Sequence, residues 1–268
     1  MILGSAKGGV TLPNKNNSSV AFSAAAVIEP IDDSELLAYW RFNESSGDVL
    51  NQSESDDSIG TGADLQITGA AYDNGSPPVG KSMLFDGSND YAKAGTSVSQ
   101  FNFLNEADCK WTICFWMKWL TDTPSAPNML FGSANTGSNV GIAVRVTDSP
   151  NRAINILFAN SGATNLQTTE DFVSDITAWH FYVLSYDQTL ASSNMVYRRD
   201  NNNEETSNKS GTRASSNATA ALNIAARPDL SSSSFSNMQI NEVSVWNRIL
   251  TDDEQTELYN NGDGRAIY

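Results

Sequence analysis

Ser82-Met83-Leu84-Phe85-Asp86-Gly87-Ser88-Asn89-Asp90-Tyr91-Ala92-Lys93-Ala94 places two short apolar runs on either side of a turn of Asp, Gly, Ser and Asn. Gly87 and Asn89 tolerate positive φ, and aspartate or asparagine side chains cap their own backbone there. The stretch therefore predicts a β-hairpin. The turn also gathers Asp86, Asn89 and Asp90, oxygen donors of the kind a hard cation prefers.

Working outward, the same chemistry recurs. Leu36-Leu37-Ala38-Tyr39-Trp40-Arg41-Phe42 alternates at period two, with Leu36, Ala38, Trp40 and Phe42 on one face. Leu65 to Ala71 reads as a weak strand, and Pro77-Pro78 as a turn before the hairpin. Trp111 to Trp119 is apolar on both faces, the mark of a strand buried between layers. Further strands are expected at 128–132, 140–146, 153–159, 179–186, 194–198, 222–225 and 239–246. One helix is well specified: Thr251-Asp252-Asp253-Glu254 is a capping box, and Asn261-Gly262 offers a left-handed stop. Many punctuated strands with a single helix predict an all-β, two-sheet antiparallel sandwich or jelly roll.

Residues 1–33 differ from the rest. Ile2, Leu3, Val10, Leu12, Val20 and Phe22 are too dispersed for a core and too apolar for a plain linker. The segment reads as an extended N-terminal arm lying against another surface, ahead of a domain over 34–268. It has neither a basic start nor an uninterrupted apolar run, so it is not expected to be an export signal.

Composition narrows the partners. The formal net charge of −15 repels phosphate backbones and anionic lipid, and no apolar run approaches the roughly 20 residues of a spanning helix. Neither nucleic acid nor membrane is expected as a partner. Cys109 and Cys114 are too few for a disulfide framework, and on one extended strand they would face opposite sides. With His180 as the sole histidine, no zinc site can be assembled.

Several motifs together resemble the laminin-G-like jelly rolls of the concanavalin A-like lectin/glucanase superfamily. They are Tyr39-Trp40-Arg41-Phe42-Asn43-Glu44, Gly80 through Tyr91, Trp111 through Lys118, Trp179 through Val183, and Ile240 through Thr251 with Glu254 and Leu258-Tyr259. Order and spacing extend over residues 36–260. The chain departs from the family at Arg199-Asp200-Asn201-Asn202, where an Asp-Gly hairpin is usual; Asn can take the positive φ there. The resemblance implies a structural Ca²⁺, and carried over residue by residue its ligands would be Glu44, Asp86, Asn89 and Glu242.

Glucanases of this superfamily present Glu-x-Asp-x-x-Glu from one strand. Here Glu106-Ala107-Asp108-Cys109-Lys110-Trp111 has Trp in place of the last carboxylate. A serine nucleophile would need His180, and no Gly-x-Ser-x-Gly elbow accompanies it. The residues alone therefore point away from an enzyme. Sugar binding uses an aromatic platform, for which Tyr72, Trp119 and Tyr186 are the freest candidates.

The sequence thus favours a non-enzymatic structural or surface-binding protein of a bacteriophage particle, decorating head or tail and capable of glycan adhesion. Residues 1–33 would anchor it to other virion proteins or to copies of itself. The alternative is a secreted, extracellular carbohydrate-binding module, and a glucanase-like hydrolase ranks below both.

Overall fold

Apolar residues facing inward at period two build fifteen strands among the described residues, which in this computed structural model are 30–121, 128–134, 140–146, 154–159, 164–167, 175–202, 205–207, 218–231 and 234–268. The first five are β1 (Leu36–Trp40), β2 (Leu65–Thr68), β3 (Ala71–Asp73), β4 (Ser82–Asp86) and β5 (Tyr91–Ala94). Then come β6 (Lys110–Trp119), β7 (Asn128–Gly132), β8 (Gly141–Val146), β9 (Ile154–Ala159) and β10 (Thr164–Gln167). The last are β11 (His180–Asp187), β12 (Met195–Arg199), β13 (Glu205–Ser207), β14 (Leu222–Ile224) and β15 (Asn237–Trp246). One antiparallel sheet runs β13-β12-β11-β6-β15-β4-β3, with β1 also paired to β15; the other runs β10-β9-β8-β7-β14-β5-β2. This is the two-sheet, jelly-roll-like sandwich that the sequence predicts.

Facing aromatics join the sheets. Phe115 of β6 meets Phe131 of β7 edge-on at 5.1 Å, and Trp111 meets Phe158 of β9 at 6.4 Å. Each is fully buried, so each contributes on the order of 2–3 kcal/mol of transfer free energy. The opposite face of the first sheet carries a second cluster, including Tyr39, Trp116, Phe181 and Trp246. Leu258 of the single helix α1 (Asp252–Tyr259) and Ile267 close over it, and Tyr259 stacks on Trp116 at 5.9 Å. Thr251 caps α1 through the predicted reciprocal box, and the left-handed stop expected at Asn261-Gly262 is present and begins one residue earlier, with Asn260, Asn261 and Gly262 all at positive φ.

Several local expectations change. The central turn is a corner and not a hairpin: β4 pairs with β3 and β15, whereas β5 pairs with β2 and β14 of the other sheet. Asp90 accepts a hydrogen bond from the Asp86 N–H at 3.0 Å, which closes the corner. The stretch from Leu65 to Ala71 likewise divides between sheets at Gly69. There φ is +77°, and a side chain would collide with the Asp90 carboxylate, so the two corners interlock. In β1 a register shift between Leu36 and Ala38 breaks the alternation, sending Leu36 to the outer cluster and Ala38, Trp40 and Phe42 to the inter-sheet core.

At the departure from the family pattern, β12 and β13 still pair antiparallel, and Asp200 takes the positive φ of +56°. Cys109 and Cys114 are buried free thiols in the two different apolar clusters.

Ile31, Asp32 and Asp33, at the end of the expected arm, contact the sandwich. Ile31 is buried, and Arg248 donates to the Asp32 and Ser34 carbonyls, each at 2.9 Å. The arm residues Ile2, Leu3, Val10, Leu12, Val20 and Phe22 lie outside the described residues.

Candidate functional site

The outer face of the second sheet carries a groove of about 390 Å³ lined by Tyr91, Lys93, Asn223, Thr96, Ser97 and Leu230, among others. Its floor follows from alternation: Ala92 and Ala94 of β5 and Leu222 and Ile224 of β14 point into the core, which turns Tyr91, Lys93 and Asn223 outward. Asn223 sits directly across from Lys93. One wall is the turn after β5, where Gln100 accepts hydrogen bonds from the N–H groups of Thr96 (2.6 Å) and Ser97 (2.9 Å). Gly95 has φ +78° and lies against the Gln100 amide, so a side chain there would displace this brace. The other wall is the turn from Arg227 to Leu230, closed by a Leu230 N–H bond to the Arg227 carbonyl at 3.0 Å. An aromatic ring, an amide, an ammonium and two hydroxyls converge, with exposed Leu230 at the rim. Such a set can stack a ring and exchange hydrogen bonds with hydroxyls.

The sugar-platform candidates fall elsewhere. Trp119 and Tyr186 are 1% and 2% exposed within the inter-sheet core, so neither offers a face to a ligand. The sequence pattern places both at strand ends, but their alternation faces the other sheet. Tyr72 is half-buried beside a different cleft of about 480 Å³, together with Ser45 to Asp48 and Gly69. Its O–H donates to the Gly47 and Asp48 carbonyls, and burial, then the Glu44 and Asp48 charges, pushes its pKa up to about 12.

The residues drawn from the family's calcium site do not converge on one ion. β4 and β15 pair Asp86 with Asn237, which puts Glu242 five residues further along, roughly 16 Å at strand rise. Asp86 Oδ1 instead accepts from the Ser88 N–H at 2.8 Å, and Asn89 follows in the same turn. Glu44 Oε1 accepts from the Leu50 N–H at 3.0 Å. Glu242 accepts from the Tyr39 hydroxyl and pairs with Arg41 at 3.3 Å. Among the described residues no group of three or more His, Cys, Asp or Glu stands where it could hold a metal. The four residues do not fit a shared Ca²⁺.

Glu106 and Asp108 are exposed in the turn before β6. His180 is a structural residue of β11: Nδ1 lies 2.7 Å from Asp200 Oδ2, and Nε2 lies 2.8 Å from the Asp175 carbonyl.

A family model described as the concanavalin A-like lectin/glucanases superfamily, laminin-G type, matches residues 86–254, more than half of the chain. The chain belongs to this superfamily. No curated protein matches it in sequence. Solved structures share its fold. The Trypanosoma rangeli sialidase is 15% identical with a TM-score of 0.58, covering 94% of this chain and 35% of that one. The binding domain of botulinum neurotoxin DC in complex with SialylT is 10% identical with a TM-score of 0.56, covering 84% and 51%. The same domain in complex with rat synaptotagmin II gives 11% and 0.59, covering 86% and 52%. The chain thus spans about a third to a half of these structures. At such identities the likeness carries the fold alone.

The sialidase nonetheless corrects one expectation. An enzyme carries this concanavalin A-like fold over nearly all of the chain, so a missing glucanase carboxylate does not make the protein non-enzymatic.

Tyr91, Lys93 and Asn223 do not stand out in the sequence because Tyr91-Ala92-Lys93-Ala94 reads as half of a hairpin. The alternation itself, two alanines inward and two long side chains outward, was the signal available.

Proposed function

We propose that the protein binds carbohydrate through the groove between β5 and β14. The observation that carries this reading is the convergence of Tyr91 with Lys93, Asn223, Thr96 and Ser97 on a sheet face. A pyranose presents one apolar face and a rim of hydroxyls, which matches an aromatic bordered by polar groups. Membership of a lectin superfamily and the neurotoxin binding domain in complex with SialylT support it. A glycan array probed with the full chain and with Tyr91→Ala tests the proposal. The intact protein is expected to bind a defined set of glycans, and the variant to lose at least tenfold in affinity with an unchanged melting curve. Equal binding by both would move the site away from this groove.

The surface of a bacteriophage particle, with residues 1–33 as anchor, is the setting proposed for this binding. It rests on the dispersed apolar residues of that segment. Mass spectrometry of purified particles tests it, and absence from any particle would leave an extracellular carbohydrate-binding module.

A further inference from the structure

Beside the groove, the same sheet face holds two arginines with too little negative charge to match. Arg145 projects outward from β8 between inward-facing Val144 and Val146. The register places it directly across from Met129 of β7 on one side and Asn155 of β9 on the other. Arg227 follows β14 and is close enough for its charge to be felt at Arg145. Arg227 has a counter-ion, since its guanidinium reaches Asp229 at 2.8 Å. Arg145 has none: among the described residues no carboxylate lies within ion-pair distance of it.

Hydrogen bonding tells the same story. The Nε–H groups of Arg145 and of Arg227 are buried with no acceptor. Asn155, only 4% exposed, has a buried Oδ1 with no donor. Burial and the neighbouring Arg227 charge both lower the pKa of Arg145, the cost of holding two cations together away from water. A protein with net charge −15 has carboxylates in excess, yet among the described residues only Asp229 stands here, and it pairs with Arg227 and not with Arg145. Unmatched charge held partly away from water is destabilising, and a ligand carboxylate would supply the missing partner.

We infer that Arg145 and Arg227 form a carboxylate-binding subsite, so that the ligand of the groove is an acidic glycan. This rests on the carbohydrate reading of the groove. A guanidinium fork donates Nε–H and Nη–H together to the two oxygens of a planar carboxylate. Asn223 of β14 connects the subsite to the groove: its amide donates to the Arg227 carbonyl at 3.4 Å while its strand position faces Lys93. An oligosaccharide that bridges the intervening strands places one ring at Tyr91 and the carboxylate of another at the arginines. Lys93 adds a third positive charge from the groove side.

The test uses the full chain and two matched probes, a glucuronate-containing oligosaccharide and its carboxyl-reduced, neutral counterpart, measured by titration calorimetry. The native protein is expected to bind the acidic probe at least tenfold more tightly. Arg145→Gln should bring the two affinities together by weakening only the acidic probe. Arg145→Lys, which keeps the charge and loses the fork, should fall between and guards against a folding defect in the first variant. An acidic preference that survives in Arg145→Gln overturns the subsite. Equal binding of both probes by the native protein overturns it too, while leaving the carbohydrate reading in place. Binding of a sulfated analogue in preference to the carboxylate refutes the planar fork as the recognising feature. Failure of every glycan, neutral or acidic, removes the carbohydrate reading and this inference with it.

Discussion

Glu242 sits at φ +48° where β15 shifts register between Asn241 and Ser244, so its carboxylate is turned into the sheet beside β1. Burial pushes its pKa up to about 7, with the Tyr39 hydroxyl and Arg41 opposing a larger rise. The folded value lies above the ordinary value of 4.5, so the protonated form is the one the fold favours. Its contribution to stability is fully present below pH 4.5 and is lost as pH rises through about 7, on the order of 3 kcal/mol in total. Urea melts of Glu242→Gln should lack this part of the slope between pH 4.5 and 7, whereas parallel curves would show that the carboxyl is solvated. His180 titrates in a separate window. Burial draws its pKa down, but the hydrogen bonds to Asp200 and to the Asp175 carbonyl, with the Asp200 charge, raise it overall above 6.5. As the sole histidine it gives a single imidazole signal by NMR. Its midpoint should exceed 6.5 and should fall in Asp200→Asn; an unchanged midpoint would remove the coupling.

At the scale of elements, α1 has eight residues, too few to persist without docking and caps. Arg248 reinforces the box by gripping Glu254 through two bonds, at 2.7 and 3.0 Å. Thr251→Ala removes the acceptor for the Glu254 N–H and should cost about 1 kcal/mol in denaturant melts. No loss at all would mean that Arg248 alone holds the first turn. The capping box is legible because its partners are three residues apart. The corners at Gly69 and Gly87 are not. A turn that joins two strands of one sheet and a turn that crosses between sheets use the same residues, and only the remote pairings of β4 with β15 and β5 with β14 distinguish them.

For the whole molecule, the contacts of Ile31, Asp32 and Asp33 have a measurable consequence. Removing 1–33 deletes buried Ile31, the Asp32 carbonyl held by Arg248, and Asp33, which accepts from the Tyr268 hydroxyl at 2.6 Å. That truncation should melt below a form lacking only residues 1–30, by about 2–4 kcal/mol. Equal melting of the two forms would show that these three residues add nothing to the sandwich.

Strand existence, helix caps, the family motifs and the absence of a disulfide framework were decided locally, by alternation, spacing and residue type. Many punctuated strands with a single capped helix favour a sandwich, although β10 and β13 among the described residues carry no such local signal. Which aromatics are available was not local. Trp119 and Tyr186 lie on strands whose inner face is set by the sheet opposite, while half-buried Tyr91 faces outward because Ala92 and Ala94 of the same strand take the core. The family-derived calcium residues were scattered for the same reason: ladder register along β15 separates Asp86 from Glu242. Arg145, unremarkable between two valines in sequence, stands out only when β7, β9 and the turn after β14 stand beside it and, among the described residues, none pairs an acid with it. A site assembled across five strands is a property of pairing, and pairing is decided by tertiary packing.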